Sequence, residues 1–232
     1  MQITYEQFRA NFSVVMDHIE DACGKANRSA SEVTLLPVTK NHPADAAVYA
    51  WRAACKSVGE NRVQEALGKM GDADPCLQWE LIGPLQSNKA KRVAESFSRV
   101  QTVDRAKIAK ALDRYAREAG RTLRVLMQVN AGRDPAKSGV ELEEADALLD
   151  VILSCESLSL EGLMTIAPLS EQSDVARRTF ANLRECRDRL SLRSGLPLSE
   201  LSMGMSGDLE EAILEGSTMV RVGTALFGER TY

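Results

Sequence analysis

The feature that most constrains this chain is an alternation. From residue 33 onward, short runs of aliphatic and β-branched residues trade places with longer stretches of helical period. The composition and period of these runs predict strands at 33–39, 57–59, 77–82, 97–102, 123–129, 158–164, 201–203 and 219–222. Helical periodicity fills the intervals: about 44–55, then through Val63, Ala66, Leu67 and Met70, and through Ala90, Val93 and Ala94. It resumes at 105–119, 141–155, 173–192 and 208–214, and Ala225-Leu226-Phe227 closes the pattern. Strands that each hand over to a helix demand a parallel sheet, and eight such units in one chain predict a (β/α)8 barrel of the TIM type. An open doubly wound sheet is the rival, but no GxGxxG fingerprint follows the first strand.

One helix stands outside the rhythm. Phe8, Phe12, Val15, Ile19 and Cys23 recur at helical spacing within 3–28, ahead of the first strand. It is expected to pack outside the barrel. No linker, low-complexity stretch or repeat divides the chain, so residues 1–232 are expected to form one domain.

Composition removes several function classes. A net charge of −4 and a pI of about 5.4 argue against nucleic-acid binding. No apolar run approaches the roughly 20 residues of a membrane span. The amino terminus lacks the basic start and apolar core of a signal peptide. The five cysteines are scattered and never form a CxxC pair, which fits reduced thiols in the cytoplasm better than disulfides or zinc. With His18 and His42 the only histidines, a His-rich metal site is excluded and no metal is expected. No long exposed apolar stripe demands a partner copy, so a monomer is expected.

In a (β/α)8 barrel the chemistry gathers at the carboxyl ends of the strands. The first strand ends Val38-Thr39-Lys40. By strand alternation Lys40 shares the face of Leu36 and Val38, and if that face lines the barrel the amine points inward. Burial there would lower its pKa and let it attack an aldehyde. The alternative is a lysine that ends a strand and reaches for water. Gly59-Glu60-Asn61 follows the second strand; Asn61 either orients a ligand or caps the helix after it. The last two strands end near Gly204-Met205-Ser206-Gly207-Asp208 and at Arg221-Val222-Gly223-Thr224. Barrels often bind phosphate with these two loops, so Ser206, read as a helix N-cap, together with Gly223 and Thr224 forms a candidate anion site. The simpler roles are a helix cap and a turn glycine. Arg221 shares the parity of Met219 and Gly223 and points inward, toward either an acidic partner or a ligand ring atom. His42 reads as a solvated loop residue. A lysine amine, a phosphate pocket and an arginine in one barrel mouth match the aldehyde, phosphate and ring nitrogen of pyridoxal 5'-phosphate.

Several segments together resemble the pyridoxal phosphate homeostasis protein (YggS/PROSC) family over nearly the whole length after the first helix. They are Val38-Thr39-Lys40, Gly59-Glu60-Asn61-Arg62-Val63-Gln64-Glu65, Leu81-Ile82-Gly83-Pro84-Leu85-Gln86-Ser87-Asn88-Lys89, Lys137-Ser138-Gly139, Leu201-Ser202-Met203-Gly204-Met205-Ser206, and Met219-Val220-Arg221-Val222-Gly223-Thr224-Ala225-Leu226-Phe227-Gly228. The resemblance implies the fold of the alanine racemase N-terminal barrel domain. It implies a Schiff base on Lys40, phosphate contacts from Ser206, Gly223 and Thr224, a ring-nitrogen contact from Arg221, and Asn61 beside the cofactor ring. It implies a protein without catalytic residues that binds, buffers and delivers pyridoxal phosphate to apo-enzymes and so maintains vitamin B6 and amino-acid/keto-acid balance.

Chemistry points the same way. A protonated arginine leaves its partner ring nitrogen unprotonated, which makes the ring a poor electron sink. Racemases add a β-rich domain with an opposing base, for which no segment is seen here. The rival is a pyridoxal-phosphate-dependent amino-acid racemase or lyase; a cofactorless Schiff-base barrel and a pure interaction protein stand further off. Departures from the family pattern are His42 in place of a second lysine, Arg62 in place of tyrosine and Glu80 in place of histidine, all expected in loops bordering the mouth. Lys137 matches a lysine tied to secondary cofactor binding in relatives, or is a solvated loop residue.

Overall fold

The computed structural model describes residues 3–170 and 172–228; the ends of the expected 1–232 unit lie outside the described residues. Eight parallel strands alternate with helices: β1 (Thr34–Pro37), β2 (Ser57–Glu60), β3 (Gln78–Leu81), β4 (Arg99–Val103), β5 (Leu123–Gln128), β6 (Leu158–Met164), β7 (Glu200–Ser202) and β8 (Met219–Val222). Their order is β1-β8-β7-β6-β5-β4-β3-β2. A parallel bridge from Val38 to Gly59, with Thr39 N–H donating to Gly59 O at 3.1 Å, joins the two edges and completes the barrel.

Around it run α2 (Asp45–Arg52), α3 (Val63–Met70), α4 (Ala90–Ser96), α5 (Ala106–Glu118), α6 (Ala145–Leu153), α7 (Ser173–Ser194), α8 (Leu209–Leu214) and α9 (Thr224–Phe227), while α1 (Tyr5–Lys25) precedes the barrel. The elements match the expected rhythm, with ends that shift by a few residues in either direction. The clearest case is α6, expected from 141 but beginning at Ala145. The closing 225–227 run belongs to the short helix α9. No helix among the described residues is long and apolar enough to cross a membrane.

The outer helix forms for local reasons. Thr4 caps α1 in a reciprocal capping box with Gln7. Phe8, Val15, Ile19 and Cys23 then bury one stripe against Leu209, Ile213, Val220, Val222 and Phe227. Each fully buried large side chain contributes roughly 1.5–3 kcal/mol. The stripe thus lies on the outer face of β8 and on α8 and α9.

Strand alternation sorts β8 sharply. Val220 and Val222 face α1, while Met219 packs inside the barrel with Leu36, Val38 and Ile82. Arg221 falls on the inner face with Met219.

The interior is not wholly apolar. Arg99 is 5% exposed and donates to Glu80 through Nε at 2.8 Å and Nη2 at 3.0 Å. Its Nη1 reaches Glu161 at 2.9 Å and Glu200 at 3.3 Å. Burial disfavours the Arg99 charge, but Glu80, Glu200 and Glu161 outweigh it and hold the guanidinium above its ordinary pKa. This overturns one sequence expectation: Glu80 is an interior residue of β3, 2% exposed, not part of a loop at the mouth.

Candidate functional site

A cavity of about 280 Å³ sits at the carboxyl ends of the strands. Lys40, Asn61, Ser206, Arg221, Gly223 and Thr224 all line it, together with Val38, Ile82, Ile166, Met205 and Gly207. The six sequence candidates, spread over 185 positions from 40 to 224, are therefore brought together.

Lys40 lies just past β1, in a turn closed by the His42 N–H donating to Thr39 O at 3.1 Å. Its side chain shares the cavity with Val38, two residues earlier, as alternation requires. Asn61 does not cap α3. The N-cap is Arg62, with no side-chain cap bond, and Asn61 turns to the cavity instead. Arg62 faces a neighbouring groove of about 350 Å³ with Gln64, Pro84, Gln86 and Lys89. His42 packs on Phe227, ring centroids 5.2 Å apart, and Lys137 is half-buried in the loop after β5; neither lines the cavity.

Arg221 forms one wall and is 4% exposed. Its Nη1 donates to Ser202 Oγ at 2.7 Å and its Nη2 to Thr165 O at 2.9 Å. A guanidinium carries five N–H donors, so these two bonds leave others for a ligand. Burial draws its pKa down to about 10, against the pull of the Asp208 carboxylate, and it keeps its charge at neutral pH. Sequence reasoning missed Ser202 and Thr165. A buried arginine needs acceptors, and these lie at the carboxyl ends of β7, beside Arg221's strand, and of β6, the next one along.

The two loops that follow β7 and β8 form the exposed rim, where Ser206, Gly207 and Thr224 lie. Ser206 is not the helix cap. Asp208 holds that position, and its carboxylate accepts from Met205 N–H at 2.6 Å. Burial raises the Asp208 pKa, while the Met205 bond and Arg221 oppose the rise. Ser206 is thereby left exposed on the cavity rim. At Gly223 a Cβ would come within 3.2 Å of Val38 O, so glycine keeps the ends of β1 and β8 close. Among the described residues no group of three or more His, Cys, Asp or Glu could hold a metal ion.

The parallel eight-stranded barrel places the chain in the alanine racemase N-terminal domain class: the model of that family, "Alanine racemase, N-terminal domain", matches residues 3–231. Within it, the chain belongs to the pyridoxal phosphate homeostasis protein family. The Pseudomonas aeruginosa protein of that name is 44% identical over 223 residues, 96% of this chain and 95% of its own. PipY of Synechococcus elongatus, solved with PLP bound, is similar at TM-score 0.80 and 40% identity over 85% of this chain and 93% of its own. A Clostridium difficile alanine racemase shares the fold at TM-score 0.80 with 15% identity, over 98% of this chain and 58% of the racemase.

Proposed function

We propose that this chain carries pyridoxal 5'-phosphate in the cavity at the barrel mouth and serves vitamin B6 and amino-acid/keto-acid homeostasis, yielding the cofactor to apo-enzymes. One observation carries the reading: an amine, a buried guanidinium and two glycine- and hydroxyl-bearing loops converge on a single cavity. The name of the Pseudomonas relative and the PLP-bound PipY structure support it.

The donor set fits the cofactor's handles. Lys40 supplies the primary amine for covalent attachment through the aldehyde. Arg221 offers its remaining N–H donors to the ring nitrogen. Ser206, Gly223 and Thr224, at the exposed rim, would offer hydroxyls and amides to the phosphate. Asn61 flanks the ring. When bound, the cofactor supplies an electron-accepting ring to amines condensed on its aldehyde. Because Arg221 keeps its proton, a ring nitrogen held by it would carry none, and such a ring would be a weak electron sink. That chemistry favours holding and release over turnover.

The test is the absorption spectrum of the purified protein, repeated after borohydride and on Lys40→Ala. The expected result is a visible band, bleached by borohydride and missing from the variant. Steady turnover of an amino acid, lost in Lys40→Ala, would replace the carrier by a racemase or lyase. A protein that stays colourless when pyridoxal phosphate is added would overturn the reading altogether.

A further inference from the structure

The segment Gly59-Glu60-Asn61-Arg62-Val63-Gln64-Glu65 contributes only Asn61 to the cavity. Its two glutamates point elsewhere, and they meet at Lys69. The Lys69 ammonium donates to Glu60 Oε1 at 2.7 Å, to Glu65 Oε1 at 2.7 Å and to Thr39 O at 2.8 Å. An ammonium has three donors, and all three are spent. Lys69 is 7% exposed and Glu60 is fully buried, so that pair is shielded from water and from salt, while Glu65 closes the cluster on its more open side.

What this cluster grips is the turn that carries Lys40. On one side, Thr39 is held twice, its carbonyl by Lys69 and its hydroxyl by Glu60 Oε1 at 2.6 Å. On the other side, the Asn41 backbone N–H donates to Glu65 Oε1. Asn41 adopts φ of +61°, a left-handed conformation that asparagine tolerates but that needs support from its surroundings. Glu65 and Lys69 sit one turn apart on α3, so a single rigid helix face pins the residues before and after Lys40.

We propose that Lys69, Glu60 and Glu65 are positioning residues for Lys40. Resting on the cofactor reading above, they fix the height and direction from which its amine meets the cofactor's aldehyde. None of them lines the cavity, and their hydrogen bonds reach it through Thr39 and Asn41, on either side of Lys40. A device of this kind spends binding energy in advance: the amine is ordered before the ligand arrives.

The experiment compares wild type with Glu65→Ala and Glu65→Gln. Glu65 is the partly exposed member, so its removal leaves the buried Lys69–Glu60 pair intact. Glutamine keeps an acceptor for the Asn41 N–H. Pyridoxal phosphate is titrated well below the melting temperature, and two quantities are read: the concentration for half-saturation of the visible band, and the visible circular dichroism per bound cofactor, which reports its fixed orientation. Glu65→Ala is expected to raise half-saturation at least fivefold and to weaken the dichroism, and Glu65→Gln to recover most of both. A purely structural role lowers thermal stability but leaves both readings unchanged in the folded protein. Readings for Glu65→Ala within twofold of wild type, or no recovery in Glu65→Gln, would overturn the inference. A wild type without a band would instead defeat the cofactor reading.

Discussion

Arg221 donates to the Ser202 hydroxyl at 2.7 Å, and Ser202 in turn donates to Gln101 Oε1 at 2.6 Å. Gln101 Nε2 continues to Glu80 Oε2 at 2.6 Å, and Glu80 takes both Nε and Nη2 of Arg99. A hydrogen-bonded line therefore runs down the barrel interior, from the arginine beside the cavity to the ionic cluster around Arg99. Ser202→Ala cuts it where Arg221 is held. The variant leaves a donor of Arg221 and Gln101 Oε1 without partners in a dry site, so a loss of about 1–3 kcal/mol in denaturant unfolding is expected. Weaker saturation by pyridoxal phosphate is expected alongside, because the guanidinium loses one of its two protein anchors. Unchanged saturation with lowered stability would mean that Thr165 alone sets the orientation.

The same line makes Glu80 a stability residue. It is the main partner of a guanidinium that is almost fully buried. Glu80→Ala leaves Arg99 with Glu161 and Glu200 only, both partly exposed. Removing one partner of a buried pair costs about 3–5 kcal/mol, and the remaining acids keep the expected loss near the lower end. Urea unfolding of Glu80→Ala measures it directly. Glu80→Gln, which keeps the shape and one acceptor, is expected to lose less.

What the sequence displayed and what it hid divide along one physical line. Alternation within a strand is local, so the inward face of Lys40 and Arg221 and the outward face of Val220 and Val222 are legible from a few neighbours. The convergence of loops after successive strands follows from barrel topology, so Asn61, Ser206, Gly223 and Thr224 are legible once eight βα units are recognised. Partnership between buried charges is different. Arg99 meets Glu80, Glu161 and Glu200 across gaps of 19, 62 and 101 residues. Nothing near any of them marks it as interior, and a lone charge at a strand end reads as solvated. Glu80 lies inside the predicted strand 77–82 and is read at the mouth only through the family resemblance, and the grip of Glu60 and Lys69 on Thr39 leaves no trace in the sequence. The cap of α8 failed for a subtler reason: Ser206 and Asp208 are both good caps, and only the backbone path chooses Asp208.

Gly83 ties two strand ends together. A Cβ there would sit 2.1 Å from the Asn61 carbonyl oxygen, where at least about 3.0 Å is needed, and that obstacle is backbone. Gly83→Ala must therefore push the loop bearing Asn61 outward by close to an ångström. Overpacking of this kind costs about 1–3 kcal/mol. Because the displaced loop forms part of the cavity wall, weaker pyridoxal phosphate binding is expected together with the lower melting temperature. Gly24→Ala, on α1 with open space around it, is the control and is expected to be neutral or slightly stabilising.

Acid sensitivity should be traceable to Glu215. This carboxylate follows α8 and takes Arg177 Nε and Nη2 at 3.0 and 2.7 Å and Arg184 Nη1 at 2.5 Å, fastening α8 to α7. Partial burial opposes its charge, but the two arginines prevail and hold its pKa below the ordinary carboxylate value. The sign follows from proton counting. Between the lowered folded value and the ordinary unfolded one, the unfolded chain binds more protons, so stability rises with pH across that window. The contribution is complete at neutral pH and is lost as pH falls from the ordinary carboxylate range through the folded pKa. Melting temperatures of wild type and Glu215→Gln between pH 3 and 7 test this. The variant is expected to melt lower at pH 7 and to show a shallower decline toward acid, so that the two curves converge at the low end. Parallel curves would assign the acid response to other carboxylates.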